Sequence, residues 1–319
     1  MTSRFSDYFR TFAPTMEKVM HIETISEMMQ LCGIADVRHP LIETADLSQV
    51  VSPERFSNQQ MTFGFYMVIL KGEGCGTVRY GQSVYDYTNG TMLFYAPRQL
   101  VAVEDVTAPT GRALVFMPEL LAGTPLEHDI HDYTFFDYDV NESLHVSERE
   151  RQHFYASLDS LTEELEHPVD TLSSELLCSH LTLLLGYCRR YYARQFASRK
   201  PASQKLITQF DTLLRRYFDS GKARQSGLPT VRQFADEMNL SPNYFGDMVK
   251  SYTGTSPQAY IQQHIISLAQ SRLVSTDLSI NEIAYSLGFE YPQYFSRLFK
   301  KQTGKTPQEY RAISSEIKN

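Results

Sequence analysis

The chain has 319 residues, enough for two domains of ordinary size, and its 42% apolar content is typical of a globular protein. It contains no run of about 18 apolar residues, and no apolar segment follows the charges of the N-terminus, so neither a membrane span nor a signal peptide is expected. The four cysteines lack the spacing of a zinc site or a disulfide framework, which predicts reduced thiols in a cytoplasmic protein without metal or cofactor.

The net charge of −7 conceals two parts of opposite sign. Residues 1–199 hold 15 Lys and Arg against 27 Asp and Glu, a net charge of −12. Residues 200–319 hold 15 against 10, a net charge of +5. A basic module attached to an acidic one is typical of a DNA-binding protein with a separate control domain.

Residues 58–118 predict closely spaced strands, because aromatic and β-branched runs alternate with Gly and Pro turns. Asn89-Gly90, between two apolar runs, is a strong hairpin signal. Together they predict a small antiparallel barrel or sandwich, flanked by irregular segments with short strands at 1–57 and 119–146. Seven rings of this region either line a ligand pocket or fill the barrel: Tyr66, Tyr80, Tyr85, Tyr87, Phe94, Tyr95 and Phe116.

From residue 147 the pattern becomes helical, with Ser147 and Glu150 as a capping box. After a break at Pro168, a second helix carries a wide apolar stripe, in which His180 is expected to be a core residue. Such a stripe either packs on the β region or pairs with the same helix of a second chain, and we expect both in part. The polar, Pro-containing stretch 197–203 predicts a linker.

One supersecondary unit occurs twice in the basic part, since segments 243–260 and 293–310 match at eight of 18 positions with an offset of 50 residues. The matched pairs are Tyr244/Tyr294, Phe245/Phe295, Lys250/Lys300, Thr253/Thr303, Gly254/Gly304, Pro257/Pro307, Gln258/Gln308 and Tyr260/Tyr310. The segments before them also correspond. Each copy predicts two helices joined by a short turn, which is the DNA-reading motif.

In the second copy, about 279–301, Ser279 is expected to cap the first helix, Ala284 to allow close helix packing, and Gly288 to end the helix in a left-handed conformation. The second helix then turns four side chains inward: Tyr294, Phe295, Leu298 and Phe299. Its outward positions are Gln293, Ser296, Arg297 and Lys300.

The first copy, about 230–252, has Pro242 in the first turn of its reading helix. Its outward positions are Asn243, Gly246, Asp247 and Lys250. A connecting helix at about 257–275 is expected to hold the two readers apart. Because successive major grooves on one face of B-DNA lie about 34 Å apart, we expect both readers to enter adjacent grooves of one duplex.

Residues 228–313 closely resemble the AraC/XylS family of bacterial transcription regulators. The resemblance is carried by Ile283-Ala284-x-x-Leu287-Gly288-Phe289, by Tyr294-Phe295-Ser296-Arg297-Leu298-Phe299-Lys300-Lys301, and by Thr303-Gly304-x-Thr306-Pro307-x-x-Tyr310-Arg311. It implies that the first copy supplies most promoter discrimination. It also implies that the second makes general DNA contacts and touches RNA polymerase, as an activator does.

Residues 90–97 resemble a strand and turn of that family's cupin-like sensor domains. The metal-binding histidines of enzymatic cupins are absent from 58–118, which contains no histidine, and the lone pair His128 and His131 lies beyond it. Since a metal site needs three or four converging ligands, no metal is expected there.

Individual side chains on the two readers predict particular DNA contacts. Arg297 is expected to pair with a guanine edge, the alternatives being a phosphate contact or a solvated side chain. Gln293 and Asn243 are candidates for adenine, and Ser296 is small and adaptable. Asp247 either accepts a hydrogen bond from cytosine or holds a neighbouring cation. Lys300 and Lys301 are expected on phosphates.

The sequence thus predicts an α+β multidomain protein that is not an enzyme. Residues 1–146 form a cupin-like antiparallel β-barrel sensor, 147–199 a helical dimerisation segment, and 200–319 the DNA-binding domain. Expected partners are double-stranded DNA, RNA polymerase, a small-molecule effector and a second copy of the chain. Three other functions are alternatives to this prediction: a cupin isomerase or dioxygenase fused to a reader, a constitutive DNA-binding dimer, and a methyl-transferring repair protein, whose Pro-Cys-His context is absent.

Overall fold

The computed structural model describes residues 19–34, 36–72, 77–80, 83–85, 90–104, 106–139, 142–198 and 200–318. Asn89 of the expected hairpin, Cys75 and Tyr87 lie outside these ranges, as do the side chains of Tyr80 and Tyr85. The chain divides into two compact units, residues 1–192 and 193–319, which are described separately. Within the described ranges, no helix has both the length and the apolar character needed to cross a membrane.

The first unit is built on two five-stranded sheets. One has the strand order β1-β3-β8-β5-β6 and the other β10-β7-β4-β9-β2. The strands are β1 Met20–Ile22, β2 Ile42–Asp46, β3 Gln59–Phe63, β4 Tyr66–Lys71, β5 Thr77–Tyr80, β6 Ser83–Tyr85, β7 Thr91–Tyr95, β8 Val101–Glu104, β9 Gly111–Phe116 and β10 Leu144–His145. Over the described residues both sheets are open, with free edge strands.

The expected purely antiparallel order is wrong at one place, because β1 runs parallel to β3, with Met20 opposite Met61. Parallel neighbours need a long crossover. Here the chain between them supplies it, since it includes helix α1 (Ile25–Leu31) and strand β2 in the other sheet.

Side chains on the two faces of the second sheet pack into two different cores. Met67 of β4, with Leu93 and Tyr95 of β7, joins Met61 and other buried residues of the first sheet. Side chains on the opposite face pack in a ring cluster, which consists of Tyr66, Phe94, Phe116, Phe135, Phe136 and Tyr192. The period of two along each strand therefore separates an inter-sheet core from this ring cluster.

The inter-sheet core lines an apolar cavity of about 140 Å³ that is partly open to solvent. Among the rings of the predicted set whose side chains are described, Tyr95 lines this cavity. Aliphatic and sulfur side chains such as Met61, Met67 and Val101 form much of the wall. The hypothesis of an aromatic pocket is wrong for Tyr66, Phe94 and Phe116, because they lie on the other face of the sheet. Burial raises the pKa of the Tyr95 hydroxyl, which keeps it protonated.

Two long helices follow the strands, after the single-turn α2 (Leu126–Asp129): α3 (Glu148–Glu166) and α4 (Ser173–Ser198). Ser147 and Glu150 form the expected capping box of α3. Thr162 on α3 makes a 2.8 Å hydrogen bond with Thr44 on β2, and Asp159 pairs with Arg112. The helix is thereby held against the edge of the second sheet.

The wide stripe of α4 divides between the core and the surface. Leu181, Leu185 and Cys188 are fully buried, and Leu177 and Leu184 nearly so. Leu176 and Leu183, on the other side, are exposed, while His180 is half-buried. The stretch 197–203, predicted as a linker, holds the end of α4 and the first residues of the next helix.

The second unit is entirely helical over its described residues. Its helices are α5 Lys200–Asp219, α6 Lys222–Ser226, α7 Val231–Glu237, α8 Pro242–Thr253, α9 Pro257–Ser275, α10 Ile280–Ser286, α11 Pro292–Thr303 and α12 Pro307–Lys318. Helix α9 contacts α8, α10, α11 and α12. On α5, Phe210 packs its ring on Phe234, Phe245 and Tyr260, a role that the repeat did not predict because α5 has no second copy.

His264 on α9 is expected to make the stability of this unit depend on pH. Its Nε2 is buried without a hydrogen-bond partner, and its ring lies 5.7 Å from that of Phe218. Burial, reinforced by Arg215, lowers the pKa of His264 below 6.5, so the folded unit keeps the ring neutral. In the unfolded chain the same ring takes up a proton more readily. The free energy of unfolding that His264 contributes above about pH 6.5 is therefore lost as the pH falls through the lower pKa of the folded state.

We therefore expect the thermal midpoint of the second unit to fall between pH 7.5 and 5.5, and the fall to be smaller in His264→Leu. Burial also lowers the pKa of His39 in the first unit. The wild type and His264→Leu both keep His39, so its contribution to the pH dependence is the same in both proteins. Calorimetry of both proteins at each pH provides the measurement. An identical pH dependence in both would rule out His264 as the group responsible.

Candidate nucleic-acid interface

The two helix-turn-helix copies share one turn geometry. The Leu240 N–H donates to the Ala235 carbonyl at 3.0 Å, and the Phe289 N–H donates to the Ala284 carbonyl at the same distance. The middle residue of each turn has a positive φ, 55° at Asn239 and 91° at Gly288. Each first helix starts from a capping box, at Thr230 for α7 and at Ser279 for α10. The repeat in sequence is thus a repeat in backbone hydrogen bonding.

Gly288 also brings the two copies together. A Cβ there would lie 2.8 Å from the carbonyl carbon and oxygen of Gly227 and 2.9 Å from the Ala223 oxygen. The turn of the second copy therefore packs directly on the backbone that precedes the first copy. Only a residue without a side chain combines this close approach with a φ of 91°.

Both reading helices end in the same motif. Gly254 and Gly304 take left-handed conformations at φ 75° and 77°. The hydroxyl of Thr253 donates to the Val249 carbonyl at 2.8 Å, and that of Thr303 donates to the Phe299 carbonyl at 2.8 Å. Pro257 and Pro307 then start the following helices. These bonds explain why Thr-Gly and a following Pro recur at both places.

Helix α11 presents a basic face. Phe295 and Phe299 are fully buried on its inner side. Of the four expected outward positions, Gln293, Arg297 and Lys300 are exposed and Ser296 is half-buried. Lys301, the other residue expected on a phosphate, is also exposed. Three cations on one exposed helix face suit a polyanion.

Helix α8 presents a less basic face. Tyr244, Phe245, Met248 and Val249 are buried. Of its four expected outward positions, Lys250 is exposed, whereas Asn243, Gly246 and Asp247 are half-buried. A Cβ at Gly246 would meet nothing within 4 Å, so the space above this glycine is open. One cation beside one carboxylate makes this helix weaker in charge than α11.

The expected inward position of Tyr294 is wrong, because its side chain is 55% exposed while that of its repeat partner Tyr244 is 8% exposed. The Phe196 ring lies 5.2 Å from the Tyr244 ring and covers it. Tyr294 instead packs edge-on against the exposed Tyr291 at 5.8 Å. Tyr294 and Arg297 lie one turn apart on α11, so this ring adjoins the basic face. The sequence repeat did not predict this difference, because the two tyrosines occupy the same position in it.

The described residues form neither a reactive cysteine site nor a metal-binding site. Cys32, Cys178 and Cys188 are buried and unpaired in disulfides. Burial raises the pKa of Cys32 to about 11, despite the nearby Arg55, and also raises those of Cys178 and Cys188. A thiol held protonated is a poor nucleophile. His128 and His131 are exposed, and no three His, Cys, Asp or Glu in the described part of the chain are placed to hold a metal ion.

Residues 234–313 match a family of helix-turn-helix domains. The raffinose operon transcriptional regulatory protein RafR of Pediococcus pentosaceus is 25% identical over 170 residues, 53% of this chain and 59% of that protein. The xylose operon regulatory protein of Escherichia coli is 38% identical over 87 residues, 27% of this chain and 22% of that protein. The chain thus spans less than two thirds of either regulator.

Among solved structures, the C-terminal domain of the two-component response regulator yesN from Fusobacterium nucleatum is 29% identical, with 32% of this chain and 98% of that domain covered and a TM-score of 0.29. The helix-turn-helix match and the two regulators cover the region of the chain that contains the motifs of α10, α11 and α12. The C-terminal part of this chain therefore contains a helix-turn-helix domain of the AraC type.

Proposed function

We propose that this chain is a sequence-specific DNA-binding transcription regulator that lays α8 and α11 in neighbouring major grooves of one duplex. The observation that carries this proposal is the duplicated helix-turn-helix, with identical turn bonds in both copies and α9 between them. Helix α9 has 19 residues and is therefore about 28 Å long. That length is comparable to the spacing of about 34 Å between successive major grooves on one face of DNA.

Within this proposal, the exposed α11 face supplies both recognition and charge. Arg297 reads a guanine edge and Gln293 an adjacent base, while Lys300 and Lys301 contact phosphates. On α8, Asn243 and Asp247 face base edges, the open space above Gly246 admits the duplex closely, and Lys250 contacts a phosphate. The face of α11 carries more positive charge than that of α8. Helix α11 should therefore contribute more of the salt-dependent affinity for DNA.

The N-terminal unit is proposed as a cupin-like sensor in a cytoplasmic regulator, with 147–199 as its dimerisation segment and RNA polymerase as a further partner. The supporting observation is the cavity of about 140 Å³ between the sheets, whose wall is almost wholly apolar. A dry cavity of about 150 Å³ is large enough for a benzene-sized ligand. Such an effector shifts the protein between states only if it binds one of them more tightly.

Two other classes compete with this proposal. A constitutive DNA-binding protein would use its N-terminal unit for assembly alone, and the cavity would be a packing void. A repair or cupin enzyme would need a reactive thiol or a metal centre. The raised pKa values of the three cysteines in the described ranges count against a reactive thiol at those positions. The regulator accounts for the acidic and basic halves together with the duplicated motif.

Sequencing the DNA fragments that the purified full chain captures, with and without toluene as an apolar probe, tests the proposal. A regulator should enrich a motif with two elements about one helical turn apart, at 10–10.5 base pairs. Toluene should change the affinity for that motif if the N-terminal unit is a sensor, whereas an unchanged affinity supports the constitutive alternative. A folded protein that enriches no sequence at low salt would exclude sequence-specific regulation.

A further inference from the structure

Two exposed rings lie together at the N-terminal end of the reading helix α11. Tyr291 and Tyr294 are 48% and 55% exposed, and their ring centroids are 5.8 Å apart with the planes at 83°. Tyr244, which occupies the place of Tyr294 in the first copy, is 8% exposed. The second copy therefore folds without burying this ring. An aromatic ring that the core leaves out offers a large apolar contact area to a partner molecule.

The position of Tyr294 along α11 indicates which part of a duplex it would meet. Tyr294 is the third residue of this helix, which begins at Pro292. In a helix-turn-helix, the N-terminal residues of the second helix are the ones that contact base edges. The exposed Arg297 and Lys301 follow Tyr294 by three and seven residues, about one and two turns along the same side. A duplex bound on this side would therefore bring base edges to Tyr294 and phosphates to Lys301.

Tyr291 supports the ring of Tyr294 in the free protein. Its backbone is extended, at φ −124° and ψ 116°, and the following Pro292 restricts it to that region. A hydrogen bond with the side chain of Glu290 engages the Tyr291 hydroxyl and raises the pKa of Tyr291. The edge-on contact of the two rings then limits the motion of Tyr294. A side chain that is already supported loses less conformational entropy when it binds.

We propose that Tyr294 recognises the methyl group of a thymine in the major groove that α11 enters, and that Tyr291 is a positioning residue for its ring. The thymine methyl is the apolar group on the base edges of the major groove, and side chains with apolar atoms recognise it by contact. Hydrogen-bonding groups of neighbouring bases are left to Arg297 and Gln293. Because the Phe196 ring covers Tyr244, this recognition belongs to the second copy and not to the first.

This inference rests on the proposed function and adds a specificity-determining residue to it. Replacing thymine by uracil tests it, because the replacement removes the methyl group and keeps the hydrogen-bonding groups of the base. The full chain is titrated by fluorescence anisotropy with duplexes of the enriched motif in which each thymine is replaced singly. At one position, the wild type should bind the uracil duplex about fourfold more weakly, as expected for one buried methyl group.

Variants of Tyr294 assign that ratio to the ring. Tyr294→Ala should bind the thymine and uracil duplexes equally, with an affinity below that of the wild type for thymine. Tyr294→Phe should keep the fourfold ratio, because the ring remains and only the hydroxyl is lost. The salt slope of Tyr294→Ala should equal that of the wild type, since a methyl contact releases no counterions.

Two further substitutions separate positioning from a general loss of structure. Tyr291→Ala should reduce the ratio without abolishing it, and Tyr291→Phe should restore it, because the supporting ring is back in place. Tyr285→Ala is the matched control, because Tyr285 is 50% exposed on α10 of the same copy and lies outside the reading helix. Its ratio should equal that of the wild type.

Three results would overturn the assignment of Tyr294: equal binding of every uracil and thymine duplex by the wild type, an unchanged ratio in Tyr294→Ala, or a ratio lost in Tyr294→Phe as well. The last would assign the contact to the hydroxyl. A motif that is enriched but bound regardless of its methyl groups would refute this assignment alone. A folded wild type that enriches no sequence would refute the regulator, and the assignment with it.

Discussion

Replacing Gly288 with alanine is expected to lower the free energy of unfolding of the C-terminal unit by about 2–4 kcal/mol. The new Cβ would lie 2.8 Å from the Gly227 carbonyl, and the neighbouring atoms are backbone that cannot rotate away. The φ of 91° adds the strain of a left-handed position for a residue with a side chain. Urea unfolding followed by circular dichroism measures the loss.

Gly304→Ala is the control for the conformational part of that cost. Gly304 has φ 77°, and a Cβ there would meet nothing within 4 Å. Its substitution should therefore cost only the left-handed strain, about 1–2 kcal/mol. Equal losses in the two variants would show that the contact between the turn and Gly227 carries no energy of its own.

Arg297→Ala is expected to weaken binding to the enriched DNA motif by about 1–3 kcal/mol, roughly fivefold to 150-fold, and binding to random DNA much less. Arg297 is exposed on the outward face of α11, where a guanidinium can pair with a guanine edge. Lys301→Ala should weaken both kinds of DNA about equally and reduce the salt slope by about one, because a phosphate contact is independent of sequence. Fluorescence anisotropy titrations at several salt concentrations measure both effects.

Gln302→Ala serves as the control for this pair, since Gln302 is exposed on α11 next to Lys301 without a charge. Its affinities should stay within twofold of those of the wild type, or about 0.4 kcal/mol. If Arg297→Ala and Lys301→Ala lose the same factor on both kinds of DNA, Arg297 is a phosphate contact, and base recognition must come from other positions.

The local signals in the sequence predicted the C-terminal unit closely. Serine caps, prolines in first turns and glycines with positive φ each act on their own few residues, so the ends of α8, α9 and α10 lie within a residue or two of the predicted ones. The capping box at Ser147 acts in the same way for α3. The duplication strengthened these signals, because each copy supports the interpretation of the other.

Other features depend on residues far away along the chain. Tyr244 and Tyr294 occupy the same place in the repeat, yet one is buried under Phe196 and the other is exposed. The rings of β4, β7 and β9 were predicted either to line a ligand pocket or to fill the barrel, but sheet pairing directs Tyr66, Phe94 and Phe116 to the opposite face from the cavity. Neither outcome is encoded in neighbouring residues.

By itself, then, the sequence determined the duplicated reading motif, its helix ends and the basic charge on α11, because hydrogen bonding at helix ends and charge act locally. The tertiary structure alone decided which rings are covered, that β1 runs parallel to β3, and that α4 keeps one apolar face outside. Burial depends on which distant segments pack together, and the residues of a single strand or helix do not specify which segments these are.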